Sequence, residues 1–231
     1  MNKKMKMFII CAVFALIISC KNYATSKDLE GAVQDLESSE QNAKKTEQEI
    51  KKQVEGFLEI LETKDLNTLN TKDIKEIEKQ IQELKDTINK LEAKKTSLKT
   101  YSEYEEQIKK IKEKLKDKKE LEDKLKELEE SLKKKKEERK KALEDAKKKF
   151  EEFKGQVGSA TGQTQGQRAG NQGQVGQQAW KCANSLGLGV SYSSSTGTDS
   201  NELANKVIDD SIKKIDEELK NTIENNGEVK K

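Results

Sequence analysis

The sequence predicts an all-α protein: an elongated helical bundle or antiparallel coiled coil with a Gly/Gln-rich linker and a C-terminal amphipathic helix. Three observations predict it. Apolar residues recur at steps of three and four along much of the 231-residue chain. Charged residues make up 39% of it and apolar residues only 32%, too few for a thick globular core. Proline is absent, so no residue forces a helix to stop. Histidine is absent as well, which excludes an imidazole base, a serine–histidine or cysteine–histidine nucleophile, and an imidazole metal ligand. There is no phosphate-binding loop and no metal-ligand spacing. The carboxylates sit at regular spacing on solvated helices and carry no acid–base signal. No catalytic residue, cofactor or metal is expected, and the chain reads as a binding protein rather than an enzyme.

The N-terminus is an export signal. Lys3, Lys4 and Lys6 precede an unbroken apolar run of 11 residues from Phe8 to Ile18. A bilayer core needs about 20 apolar residues in a helix, so this run is too short to span one and reads as a secretory signal. Its end, Ile17-Ile18-Ser19-Cys20, resembles a bacterial lipoprotein signal. The resemblance implies that residues 1–19, with Cys11, are removed and that Cys20 takes a diacylglyceryl group as the acylated first residue. One 14-carbon chain binds a membrane marginally and each further buried methylene adds about 0.8 kcal/mol, so three acyl chains would anchor firmly. The chain is then expected on a membrane surface outside the cytoplasm. Without Lys3, Lys4 and Lys6 the 46 basic residues fall to 43, equal to the 43 acidic ones. An exported, neutral chain is not a nucleic-acid binder. Its charge is uneven, though: residues 63–154 carry 29 basic and 24 acidic groups.

Residues 20–26 read as a lipidated polar tether, and residues 27–154 as the helical coiled-coil bundle. Leu29, Val33, Leu36, Ala43, Ile50, Val54, Phe57 and Leu61 give a first seam. Thr and Asn residues over 63–71 break it, with Thr71 as the expected N-cap of the next helix. Ile74, Ile77, Ile81, Leu84, Ile88 and Leu91 form a strict 3-4 repeat. The phase then slips after Leu98, where Ser102 and Glu105 suggest a capping box. Ile108, Ile111 and Leu115 continue, and residues 116–119 are a second slip. Leu121, Leu125, Leu128, Leu132, Ala142, Ala146, Phe150 and Phe153 carry the last seam. Two slips favour helices that fold back on one another. Residues 155–199 read as a low-complexity linker with a small apolar island. Its first 24 residues hold seven glycines and eight glutamines, and the island runs from Trp180 to Tyr192. Residues 200–224 form the final helix, with Leu203, Val207, Ile208, Ile212, Ile215, Leu219 and Ile223 on its apolar side, and residues 225–231 are a frayed tail.

The leader ending IISCKNYA resembles the outer surface protein F branch of the OspE/F-related (Erp) surface lipoproteins of Lyme-disease spirochaetes. So do the segments KKTEQEIKKQVEGFLEILETKDLN and TYSEYEEQIKKIKEKLK, and the tail LGLGVSYS…NELANKVIDDSIKKI. The likeness covers nearly the whole chain after the leader and is weakest at 155–178. It implies a surface-exposed, outer-membrane lipoprotein that is adhesive and induced around host infection. Heparan sulfate and related host glycosaminoglycans are the implied partners, and related branches imply plasminogen or complement components. No catalytic activity is implied.

A sulfated polysaccharide is a polyanion, so a lysine-dense helix face is the expected contact. Residues 133–149 hold ten basic groups against four acidic ones, or +6. The candidate glycosaminoglycan-binding residues are Lys133, Lys134, Lys136, Arg139, Lys140, Lys141, Lys147 and Lys148, with Lys133, Lys136, Lys140 and Lys147 at one-face spacing. Lys135 and Arg139 fall at seam positions, from which they either loosen the seam or snorkel outward. Lys109, Lys110 and Lys112 form a weaker candidate. Only Arg139 and Arg168 are arginine, so binding is expected to be weak per contact and salt-sensitive. Lys231, ending the chain, is a candidate ligand for lysine-binding kringle modules of plasminogen. Trp180 is expected to anchor the apolar island, and Cys182 to be a buried, inert thiol.

Overall fold

The computed structural model describes residues 29–66, 68–159, 163–166, 174–192 and 194–227. The leader, Cys20, the tether, Arg168 and Lys231 lie outside the described residues. The chain divides into Met1–Asp35 and Leu36–Lys231. Among the described residues the first unit holds the opening turns of one helix, and the second holds the other elements.

The chain is helical as expected. Its helices are α1 (Leu29–Thr63), α2 (Thr71–Asn89), α3 (Leu98–Lys114), α4 (Lys119–Gln156), α5 (Gln174–Ser185) and α6 (Ser200–Gly227). A 3-10 turn, Val157–Ser159, extends α4. Two short strands, β1 (Gln163–Gly166) and β2 (Ser194–Asp199), pair antiparallel with Gln163 opposite Asp199. Among the described residues no helix is long and apolar enough to cross a membrane.

Local chemistry sets the helix ends, and two of them differ from expectation. The cap of α2 is Asn70 rather than Thr71. Its Oδ1 accepts from the Lys72 and Asp73 N–H groups at 2.8 and 3.1 Å, while the Asp73 carboxylate accepts from the Asn70 N–H at 3.2 Å. An amide side chain reaches both orphan donors where a threonine one residue later is already inside the helix. The cap of α3 is Ser97, whose Oγ accepts from the Thr100 N–H at 3.1 Å. Ser102 lies a turn inside that helix and donates to the Leu98 carbonyl instead. Lys64 donates to Asp73 at 2.6 Å. The Lys64 ammonium, with the Asn70 N–H, holds the Asp73 carboxyl below the ordinary aspartate range. The contribution of Asp73 is therefore present above the unfolded aspartate value and is lost as pH falls through the lowered one. Asn70→Ala is expected to lower the unfolding free energy by about 1 kcal/mol in urea titrations.

Side chains on α1 to α4 enclose one core. Ile50, Val54, Phe57 and Leu61 of α1 meet Ile77, Ile81, Leu84 and Ile88 of α2, Ile108 and Ile111 of α3, and Leu121, Leu125, Leu128 and Leu132 of α4. Each run repeats at three and four, so a single stripe of every helix turns inward. Antiparallel α3 and α4 are tied by Lys112–Glu129 at 2.7 Å and Lys136–Glu105 at 2.6 Å. Tyr101 and Tyr104 are buried here too, and burial pushes both phenols upward.

A second core lies further along α4. Leu143, Ala146, Phe150 and Phe153 pack with Ala179, Cys182 and Ala183 of α5 and Val207, Ile208 and Ile215 of α6. The buried residue is Leu143, not Ala142, which is only partly covered. The stretch expected as a linker thus contributes to a core. Helix α4 continues through Gly155 to Gln156, and α5 begins at Gln174, six residues ahead of the expected island. Gly176 fits closely there: a Cβ would stand 3.0 Å from the Tyr192 ring and 3.1 Å from the Ala204 Cα, so a larger residue would push these neighbours apart. After α5 the chain turns through Gly187 and Gly189, at φ of 64° and 58°. Helix α6 runs to Gly227, three residues past the expected end.

Candidate functional site

The lysine-rich stretch lies on α4, a helix of 38 residues, about 57 Å long at 1.5 Å per residue. It crosses from the first core to the second, and its sides meet different neighbours. Half of the ten basic groups at 133–149 turn toward the protein.

Arg139 is the largest correction. It is 2% exposed and cannot reach a polysaccharide. Its Nε and Nη2 donate to the two Glu218 carboxylate oxygens at 2.9 and 2.8 Å. Its Nη1 donates to the Leu186 carbonyl at 2.8 Å and to the Lys94 carbonyl. A planar fork with five donors satisfies a carboxylate and two carbonyls at once, which an ammonium cannot do in this geometry. Neither of the outcomes expected for its seam position occurs. The seam accommodates the charge by enclosing a partner for it.

Lys136 and Lys147 are the next corrections. Lys136 is 14% exposed and donates to Glu105 at 2.6 Å. Lys147 donates to Asp216 of α6 at 2.6 Å, which raises its ammonium above the ordinary lysine value. Lys135 donates to the Leu91 carbonyl at 2.9 Å, and burial lowers its ammonium. Lys149 pairs with Glu152 at 2.9 Å and lies 5.3 Å from the centre of the Phe153 ring. The expected face of Lys133, Lys136, Lys140 and Lys147 is therefore not one exposed face.

Lys133, Lys134, Lys140, Lys141 and Lys148 remain exposed. None of the five is in an ion pair among the described residues. Glu137, Glu138, Glu144 and Asp145 are exposed in the same stretch. Together these nine groups carry +1, not +6. The acids lie three and four residues from the lysines, so bases and acids alternate along a single stripe. In the weaker candidate, Lys110 pairs with Glu106 at 3.0 Å and Lys112 with Glu129, while Lys109 is exposed.

Sequence reasoning misses Glu105, Asp216 and Glu218, the acids that take up these bases. One signal is present: Arg139 is an arginine among lysines, set at a seam position. Trp180 packs partly buried against the second core, its ring 6.4 Å from that of Tyr192. Cys182 is buried and forms no disulfide among the described residues. Among the described residues no group of three His, Cys, Asp or Glu side chains could hold a metal ion.

Comparison with family models gives no match, and neither does comparison with curated proteins or with solved structures.

Proposed function

We propose that the chain is a lipid-anchored surface adhesin. Cys20 fixes it to the outer membrane, and a slim helical bundle presents a long stripe of exposed lysines, interleaved with acids, to host glycosaminoglycan. One observation supports this reading best. Lys133, Lys134, Lys140, Lys141 and Lys148 stand exposed and outside any ion pair among the described residues, along about four turns of one helix. They are positioned to exchange counterions for sulfate groups. Lysines offer point charges rather than bidentate forks, and four interleaved carboxylates oppose the polyanion, so affinity is low and strongly salt-dependent.

The test is retention on immobilised heparin of the chain from Lys21 onward, beside a variant with these five lysines changed to Gln. Retention near physiological salt by the parent and its loss in an equally helical variant is the expected result. A variant retained as long as the parent removes the stripe from consideration.

The alternating carboxylates favour a second reading, capture of a host protein. A nearly neutral stripe of mixed sign suits a protein surface better than a polyanion. Plasminogen held through the C-terminal Lys231, or a complement component, is the partner in that reading. Binding that persists in salt but collapses on removal of Lys231 or addition of a free lysine analogue selects plasminogen capture.

A further inference from the structure

The two cores share α4, and α3 reaches both, with Leu98 in the second core and Tyr101 in the first, but along α4 they share no apolar seam. Between Leu132, the last α4 residue of the first core, and Leu143, the first fully buried one of the second, the inward positions are taken by Lys135, Lys136 and Arg139, followed by the partly covered Ala142. Apolar burial is therefore interrupted along α4, and polar groups bridge the gap. The Glu218 carboxylate is at the centre of that bridge. It takes both arms of the Arg139 fork, and its Oε1 also accepts the Leu98 N–H, the first of α3, at 2.8 Å. The same guanidinium holds the Lys94 carbonyl before α3 and the Leu186 carbonyl after α5. One ion pair thus joins α3, α4, α5 and α6.

We propose that Arg139 and Glu218 form a latch, and that α5 and α6 open from α4 as one cooperative unit while α1 to α4 stay folded. The chemistry supports a latch rather than a uniform staple. Apolar contacts weaken gradually as helices separate, but a buried guanidinium tolerates its enclosed site only while its carboxylate is present. The other bonds at the junction are few. On the α4 side of the second core, Lys147–Asp216 and Lys154–Asp209 are at least one-third exposed, so water readily replaces them. Opening uncovers the Phe150 and Phe153 face of α4.

Native-state hydrogen exchange on the full chain purified in detergent tests this. Glu218→Gln removes the charge and keeps the shape. The expected result is at least about tenfold faster exchange throughout α5 and α6, with amides of α2 and the first half of α4 unchanged. Should that variant not fold, Glu218→Asp keeps the charge but shortens the reach, and is read in the same way. Equal acceleration in all helices overturns the proposal, because the chain is then a single cooperative unit. No acceleration in α5 and α6 overturns it too, because the ion pair then holds nothing closed.

Discussion

Arg139→Met is expected to lower the stability of the helices around Trp180 by about 3–5 kcal/mol. The urea-induced change in the fluorescence of this single tryptophan reads it. The size follows from what is left behind. Glu218, 16% exposed, loses both guanidinium contacts and keeps the Leu98 N–H, while the Leu186 and Lys94 carbonyls lose their shared donor. Methionine fills much of the volume but supplies neither charge nor donor. Lys140→Met on the exposed side of the same helix is the comparison, and should change stability by no more than about 0.5 kcal/mol. Similar losses from the two substitutions would show that burial of Arg139 does not carry the expected energy.

The same pair of residues shows where reading a sequence succeeds and where it stops. The seams are legible: Ile77, Ile81, Leu84 and Ile88 are buried as their spacing predicts, as are Leu121, Leu125, Leu128 and Leu132. Apolar spacing depends on the helix repeat alone, which the chain carries locally. Leu98 and Tyr101 do not read as core because the phase shifts where the helix restarts, and Leu143 does not because the seam shifts by one residue inside the continuous α4; in both cases only the neighbouring helices fix the new phase. Helix α5 is hidden for a different reason. Its inward positions, Val175, Ala179, Cys182 and Ala183, are mostly small and stand among glutamines and glycines that read as linker. The candidate site is legible as a concentration of lysine but not as a surface. Charge at spacings of three and four is identical whether a lysine faces water or an acid 69 residues away, as Lys147 faces Asp216. The apparent excess of positive charge shrinks because the acids that pair with Lys136, Arg139 and Lys147 lie on other helices, out of reach of any local count.

Phe150→Ala should cost about 3–5 kcal/mol and Phe57→Ala a similar amount, but in different places. Both rings are essentially fully buried, Phe57 in the core of α1 to α4 and Phe150 in the core formed with α5 and α6. Phe150 also meets Phe153 edge-on, with ring centres 6.2 Å apart, a contact that alanine cannot replace. Trp180 packs only against the second core, so its fluorescence separates the two sites where helicity cannot. Phe150→Ala is expected to move the fluorescence midpoint to lower urea and to pull it away from the bulk of the helical signal, which α1 to α4 dominate by length. Phe57→Ala should act on the helical signal. The separation depends on the polar gap at Lys135, Lys136 and Arg139, since apolar cores that do not touch along α4 have no shared cavity through which a lost ring can be felt. If Phe57→Ala displaced the fluorescence midpoint as far as Phe150→Ala does, the two cores would be coupled across that gap. The charged residues there would then be transmitting strain rather than marking a boundary.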